Sequence, residues 1–245
     1  MPAFRRLRPG RHGALTTSPA RPSLARRLLM EAFGAFALVF AGCGAIIANS
    51  TRDDALGSVG VSLVFGLVIM AMIYAGGHLS GAHYNPAVTI AFTVGRHFPV
   101  REAVSYIGAQ MAGATVAALL LLAAWPHNPA DLGSTVPSVA AGTALVYEIV
   151  LTAFLMFVIT AVATDTRAVG AAAAIAIGGT VGLDALFGGP ITGASMNPAR
   201  SFGPALVSGT WTDFWVYIAG PIIGAVLGLL AYELVRGPRV VAAEA

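Results

Sequence analysis

Long apolar stretches separated by short polar connections make up most of the chain. Six of these stretches reach the length of roughly 20 residues that a helix needs to cross a hydrocarbon core about 30 Å thick. They predict spanning helices at residues 27–48, 57–76, 102–124, 139–163, 168–188 and 213–235. Two further apolar stretches, 85–95 and 197–207, are too short to cross and therefore predict half-spanning helices.

Both short stretches begin with Asn-Pro-Ala, although Asn-Pro normally marks a turn at a wet surface. Asparagine is also a favoured N-cap, because its side-chain oxygen accepts from the first free N–H groups of a helix. Proline suits the next position, where its missing N–H would have had no partner anyway. We therefore expect each motif to begin a helix, formed by Asn85, Pro86 and Ala87 in the first case and by Asn197, Pro198 and Ala199 in the second.

The residues just before each asparagine are expected to be unwound, which leaves their carbonyl groups unpaired. Lipid cannot satisfy such groups, so this backbone must line a water-filled cavity. The two half-helices would meet there by their N-termini, each of which carries about +0.5 of a charge from the helix dipole. We expect the side-chain NH2 groups of Asn85 and Asn197 to be free to donate into this cavity.

A third Asn-Pro-Ala lies in "HNPAD", residues 127–131. It lacks the Ser/Thr-Gly-Ala preamble of the other two motifs, and no apolar helix follows it. The surrounding loop, between Trp125 and Pro137, is rich in proline, glycine and serine. This third motif therefore predicts a plain turn.

The chain contains an internal repeat. "GHLSGAHYNPAV" (77–88) aligns with "GPITGASMNPAR" (189–200), and "YIGAQMAGA" from Tyr106 aligns with "YIAGPIIGA" from Tyr217. Each copy has three full crossings, an odd number, so the two copies must sit in opposite orientations. Inverted repeats with interrupted segments mark a pathway through a membrane. The predicted fold is an all-α membrane protein with six spanning helices and two re-entrant half-helices.

This organisation divides the chain into five parts. A disordered, arginine-rich cytoplasmic tail is expected at 1–26, the first repeat at 27–124 and an extracellular connecting loop at 125–138. The second repeat follows at 139–235, and a cytoplasmic tail at 236–245. Whether residues 1–29 belong to the functional protein stays open, because the tail resembles a transit peptide in being arginine-rich and acid-poor, and Met30 opens a plausible shorter protein.

Composition and charge support the membrane class and set an orientation. Only 10% of the residues are charged and 57% are hydrophobic, whereas a soluble domain carries about 25% charged residues. Arginines concentrate at the two ends of the chain and in the loops on the same side, which places both termini in the cytoplasm. All basic residues are arginine, and alanine and glycine are abundant, so we expect a GC-rich bacterial source and an inner (plasma) membrane location.

At these motifs the chain resembles the aquaporin (major intrinsic protein) family. The resemblance rests on the paired Asn-Pro-Ala motifs, on Arg200 directly after the second, on Glu31 and Glu148, and on the inverted halves. Within that family the motif sequences look most like the nodulin-like intrinsic proteins and their bacterial relatives. The resemblance implies a passive pore in each protomer of a homotetramer. That branch is associated with glycerol, urea and metalloid hydroxides such as boric and arsenous acid, besides water.

The resemblance also implies roles for individual residues. Glu31 and Glu148 are expected to accept hydrogen bonds from the backbone N–H groups of the re-entrant loops, because lipid cannot satisfy those groups; the alternative is that they are proton-relay acids. The family's selectivity constriction corresponds to Phe65, Ala185, Ala194 and Arg200. The expected carbonyl acceptors along the pore are those of Gly81, Ala82, His83, Gly193, Ala194 and Ser195.

The sequence also allows other functions. A strict water channel is the main alternative, since Ser201 and Ala205 are similar to the residues that water channels of this family have at these positions. A secondary transporter is a further alternative, and an enzyme is not expected because the spans hold no paired carboxylates, metal ligands or nucleophile–base set. No cofactor, metal or nucleic-acid partner is expected. Cys43 is assigned to helix packing, and Asp184 to either the outer vestibule or the lipid headgroups.

Overall fold

The fold is built from helices, as seen in a computed structural model that describes residues 21–165, 167–168 and 172–237. Among these described residues, six helices are long and apolar enough to cross a membrane. They are α1 (Leu24–Thr51), α2 (Gly57–Ser80), α4 (Val100–Ala124), α5 (Ala141–Thr164), α6 (Ala173–Thr192) and α8 (Val216–Arg236). The two half-helices are α3 (Pro86–Val94) and α7 (Pro198–Ser208), and a short 3₁₀ segment, Pro129–Gly133, lies between α4 and α5. The predicted fold class is confirmed.

The first helix starts earlier than hydropathy indicates. The disordered tail expected at 1–26 is wrong at its end, because Ser23 caps α1 and its side chain accepts from the Arg26 backbone N–H at 3.5 Å. Arg27, in the first turn, is buried and donates to both carboxylate oxygens of Glu102 on α4, at 2.7 and 3.1 Å. The predictions for residues 1–20 and 238–245 fall outside the described residues.

Each repeat contributes its half-helix to the other repeat. In the first repeat α1 contacts α2 and α4, and in the second α5 contacts α6 and α8 in the same arrangement. The half-helix α3 packs against α8, and α7 packs against α4. This exchange brings the N-termini of α3 and α7 together between the two repeats.

Small residues allow the helices to approach one another closely, as is typical within membranes. At the crossing of α1 and α4, a Cβ added to Gly113 would overlap the backbone carbonyl of Ala32. At the crossing of α2 and α6, a Cβ on Gly66 would lie 2.6 Å from the carbonyl oxygen of Gly178. Backbone obstructs the added carbon at both crossings, so neither site can relax by a side-chain rotation.

We predict that Gly113→Ala lowers the thermal stability of the protein, because one helix must move away from the other. Gly108→Ala on the same helix is the matched control, since nothing lies within 4 Å of a Cβ added there, and alanine favours a helix by up to about 1 kcal/mol over glycine. Thermal unfolding in detergent measures both variants. Equal midpoints for the two variants would contradict the close contact of α1 with α4.

Candidate functional site: a pore between two half-helices

Asparagine caps begin both half-helices. Asn85 and Asn197 are extended, each with φ of −153°. The Asn85 side-chain oxygen accepts from the Ala87 backbone N–H at 2.8 Å. The Asn197 oxygen accepts from the backbone N–H groups of Ala199 at 3.0 Å and Arg200 at 3.4 Å. Each motif therefore starts a helix rather than a turn.

The two tips are joined by a reciprocal pair of hydrogen bonds. The Asn85 side-chain amide donates to the backbone carbonyl of Met196 at 2.8 Å, and the Asn197 amide donates to the carbonyl of Tyr84 at 2.9 Å. The expectation that both NH2 groups are free is therefore wrong for one N–H of each. The tips lie so close that the backbone carbonyl before each asparagine accepts from the side-chain amide of the other asparagine.

The loops before the asparagines have an unusual backbone. Gly81 and Gly193 end α2 and α6 with φ of 91° and 84°, in the left-handed region that glycine adopts readily. Non-glycine residues at aligned positions of the two loops also have positive φ: Ala82, Tyr84, Ala194 and Met196. Such residues are uncommon in this region, and their surroundings must stabilise them.

A buried carboxylate holds the first loop. Glu31 on α1 has no exposed surface. One of its oxygens accepts from the Ser80 hydroxyl at 2.6 Å and from the His83 backbone N–H at 3.0 Å. The other oxygen accepts from the Tyr84 N–H at 2.7 Å and from the side-chain amide of Gln110 at 2.8 Å.

The second loop is held in the same way. Glu148 on α5 is also fully buried, and it accepts from the Thr192 hydroxyl at 2.7 Å. It also accepts from the backbone N–H groups of Ser195 and Met196, each at 2.9 Å. Pro221 aligns with Gln110 in the repeat and has no side-chain donor, so this loop has one polar bond fewer.

Two tyrosines, which were not expected to have this role, also hold the two loops in place. The Tyr106 hydroxyl donates to the backbone carbonyl of Ser80 at 2.9 Å, and the Tyr217 hydroxyl donates to that of Thr192 at 2.6 Å. Both tyrosines occur at matching positions in the aligned repeats, and that match was the signal available in the sequence.

A cavity of about 300 Å³ runs between the repeats. Its lining includes all four residues of the expected constriction, namely Phe65, Ala185, Ala194 and Arg200. Both asparagines line it too, as do five of the six expected carbonyl residues: Gly81, Ala82, His83, Ala194 and Ser195. Gly193 is not among the lining residues, and a Cβ added to it would lie 3.1 Å from the Thr135 side chain. Apolar side chains such as Leu38, Ile69, Leu155 and Ile159 form much of the remaining wall.

Arg200 is fixed by residues that the sequence analysis did not connect with it. Only 2% of the residue is exposed, and its guanidinium donates to the Gly133 carbonyl at 2.8 Å. The Cys43 sulfur lies 3.5 Å from the same nitrogen, and the guanidinium carbon lies 5.1 Å from the centre of the Phe65 ring. The guanidinium is therefore held in one place beside the cavity.

The loop with the third Asn-Pro-Ala does more than reverse the chain, so its prediction as a plain turn is wrong. Its backbone is left-handed from Asn128 through Leu132, apart from Pro129, and this turns the segment inward. Leu132 and Gly133 are buried against α1, beside Cys43. The loop thus delivers the carbonyl that holds Arg200, although the sequence before it carries no pattern that indicates this.

Asp184 occupies neither of the two places expected for it. The residue is fully buried on α6, and neither carboxylate oxygen has a hydrogen-bond partner among the described residues. One helical turn further on, Gly188 packs against Leu151 of α5. Asp184 thus lies behind the pore wall in protein, rather than in the vestibule or at headgroups.

The two histidines around the first loop, His78 and His83, have different surroundings. His78 is exposed in the last turn of α2, whereas His83 lines the cavity with its Nδ1 3.0 Å from the Thr89 hydroxyl. The part of the chain that the structure describes holds no group of three or more ligating side chains that could bind a metal ion.

An exposed ion pair closes the loop between α5 and α6. Arg167 donates to both carboxylate oxygens of Asp165, at 2.9 and 2.6 Å, and so holds the pKa of Asp165 well below its usual range. Tyr232 and the backbone carbonyl of Arg236, both on α8, take part in the same network. The loop is thereby attached to the end of α8.

Comparison with known proteins agrees with this geometry. The family described as "Major intrinsic protein" matches residues 19–232. The chain belongs to the major intrinsic protein family. It is 48% identical over 211 residues to "Aquaporin NIP1-1" of Zea mays, covering 86% of this chain and 75% of that protein. It is 44% identical to "Nodulin-26" of Glycine max, covering 86% of this chain and 78% of that protein.

The fold is also similar to that of a solved structure, the aquaglyceroporin from Plasmodium falciparum. The TM-score is 0.77 at 28% identity, and the match covers 86% of this chain and 96% of that one. The resemblance to the nodulin-like branch is therefore confirmed, and the chain is a multi-pass membrane channel of the aquaporin family for water and small solutes. The named relatives from maize and soybean are plant proteins, and they give no support to the expected bacterial source.

We predict that replacing the carboxylate by an amide has different effects on thermal stability at the two buried acids Glu148 and Asp184. Glu148→Gln replaces one carboxylate oxygen by an NH2 group, which cannot accept, so at least one buried donor loses its partner at a cost of about 1–3 kcal/mol. Asp184→Asn replaces a buried acid without breaking any hydrogen bond among the described residues. We expect a lower unfolding midpoint for Glu148→Gln and an unchanged or higher one for Asp184→Asn. Thermal unfolding in detergent measures both variants. An equal decrease of the unfolding midpoint in both would contradict the described contacts.

Proposed function

We propose that this channel passes water and small uncharged solutes, including glycerol, urea and metalloid hydroxides, and excludes ions and protons. One observation carries the proposal: Ala185 and Ala194 line the same cavity as Phe65 and Arg200. Two of the four constriction side chains are thus single methyl groups, which leaves the passage wider and less polar than bulky or hydrogen-bonding residues would.

The constriction suits solutes with one apolar and one polar side. The Phe65 ring offers an apolar wall for the carbon atoms of a polyol. Arg200 offers fixed N–H donors for hydroxyl or carbonyl oxygens, and its contact with Gly133 holds them in place. The one remaining N–H of each asparagine amide supplies further donors at the meeting point of the half-helices.

Ions face a barrier that neutral solutes do not. Moving a charge from water into a low-dielectric passage has an idealised cost of about 20 kcal/mol, and two amides with a few carbonyl groups replace only part of a hydration shell. Cations are also repelled by Arg200 and by the positive ends of α3 and α7. Pore diameter, lining donors and an excluding arginine are general determinants of aquaporin-type selectivity.

Orientation and assembly are part of the same proposal. The arginines at both ends of the chain favour cytoplasmic termini in a plasma membrane, which puts Arg200 on the outer side of the asparagine pair. Because the cavity forms within one chain, each protomer of the proposed homotetramer has its own pore.

A strict water channel remains the second candidate, favoured by Ser201 and Ala205. Stopped-flow light scattering of proteoliposomes separates the two. We expect glycerol, urea and boric acid to enter faster than into empty vesicles, without saturation. Water flux without solute flux would establish the strict water channel instead, and saturable uptake driven by an ion gradient would indicate a transporter.

Ala185→His should reduce glycerol and urea permeability much more than water permeability, because the imidazole narrows the constriction and adds a polar group. Proteoliposomes with equal amounts of protein provide the measurement. Ala163→Val, at a lining position distant in sequence from the constriction, is the control. An unchanged ratio of solute to water permeability in Ala185→His would remove Ala185 from the selectivity site.

A further inference from the structure

Gly42 on α1 lies directly against the ring of Phe65. A Cβ added to Gly42 would lie 2.5 Å from the ring Cζ and 2.6 Å from Cδ1, and closer still to Cε1. Carbon atoms in favourable contact are about 3.5–4.0 Å apart. The absence of a side chain at position 42 is therefore what allows the ring to occupy its observed place.

The Phe65 ring borders the lumen, and Gly42 contacts it from α1. Phe65 lines the cavity, whereas Gly42 is buried and is not among the lining residues. The Arg200 guanidinium carbon lies 5.1 Å from the ring centre, close enough for a cation–π interaction. Gly42 thus contacts one edge of the ring of a constriction residue.

We propose that Gly42 is a specificity-determining residue, which sets the width of the constriction by seating the Phe65 ring. The effect on solutes rests on the proposed function. A methyl group at position 42 must displace the nearest atoms of the ring by more than about 1 Å to reach an ordinary contact distance. Because the ring must move away from Gly42 and also lines the cavity, we expect the displacement to narrow the passage, which affects a solute wider than water most.

The proposed role of Gly42 depends on its contact with the Phe65 ring and not on a general need for glycine in α1. Gly44 lies two residues further along the same helix, and a Cβ added there would make only an ordinary contact, 3.6 Å from Leu121. Gly44→Ala therefore changes helix propensity as Gly42→Ala does, without obstructing the pore wall.

A double-mutant cycle in proteoliposomes tests the inference. The variants are wild type, Gly42→Ala, Phe65→Val and the pair, with Gly44→Ala as the control. Water and glycerol permeabilities are measured per channel. We expect Gly42→Ala to lower glycerol permeability several-fold more than water permeability, Gly44→Ala to leave the ratio unchanged, and Gly42→Ala to have no effect on the ratio in the Phe65→Val background.

Two results would overturn the inference: an unchanged permeability ratio in Gly42→Ala, or the same decrease with and without the Phe65 ring. If Gly42→Ala alone does not assemble, assembly of the pair supports the contact, and failure of the pair contradicts it. Wild-type glycerol flux decides the proposed function separately. If the wild-type channel carries only water, the same double-mutant cycle is measured by water permeability. An effect of Gly42→Ala that disappears in the Phe65→Val background then supports the inference, and an equal effect in both backgrounds contradicts it.

Discussion

Backbone groups that leave a helix inside a membrane must find partners within the protein, and the rest of this structure depends on how that constraint is met. Two loops unwind at the centre of the fold, and each is held by one buried carboxylate, Glu31 or Glu148, that gathers its N–H groups. The half-helices that follow meet tip to tip, where Asn85 and Asn197 each donate to the other loop. A lumen can pass between the repeats because these loops are rigid.

The inverted repeat supplies the same scaffold twice, and function comes from the positions where the copies differ. Val88 aligns with Arg200, so among the described residues that line the cavity an arginine follows the second asparagine and not the first. His83 aligns with Ser195, and Gln110 with Pro221, so the two loops also differ in bulk and in polar bonds. We propose that the matching parts hold the pore open and that the parts that differ make one end selective.

Much of this arrangement could be predicted from sequence, because membrane length, helix caps and repeat symmetry act locally. The Asn-Pro-Ala motifs indicated both helix starts, and the hydropathy pattern indicated the six spans. The meeting of the half-helices and the bonds of Glu31 and Glu148 to the loops were expected, but other contacts between distant segments could not be predicted. The Gly133 carbonyl reaches Arg200 only because the connecting loop folds inward, and the reciprocal asparagine bonds require the exact spacing of the two tips. The burial of Asp184 depends on how α5 and α6 pack, which a helical wheel does not show.

The central claim is that the two half-helices meet and are joined through their asparagines. Magic-angle-spinning NMR of the protein in lipid vesicles, with 15N in asparagine side chains and 13C in methionine and tyrosine carbonyls, tests it most directly. We predict contacts within hydrogen-bonding range between the Asn85 amide and the Met196 carbonyl, and between the Asn197 amide and the Tyr84 carbonyl. Absence of both contacts in folded, water-conducting protein would contradict it.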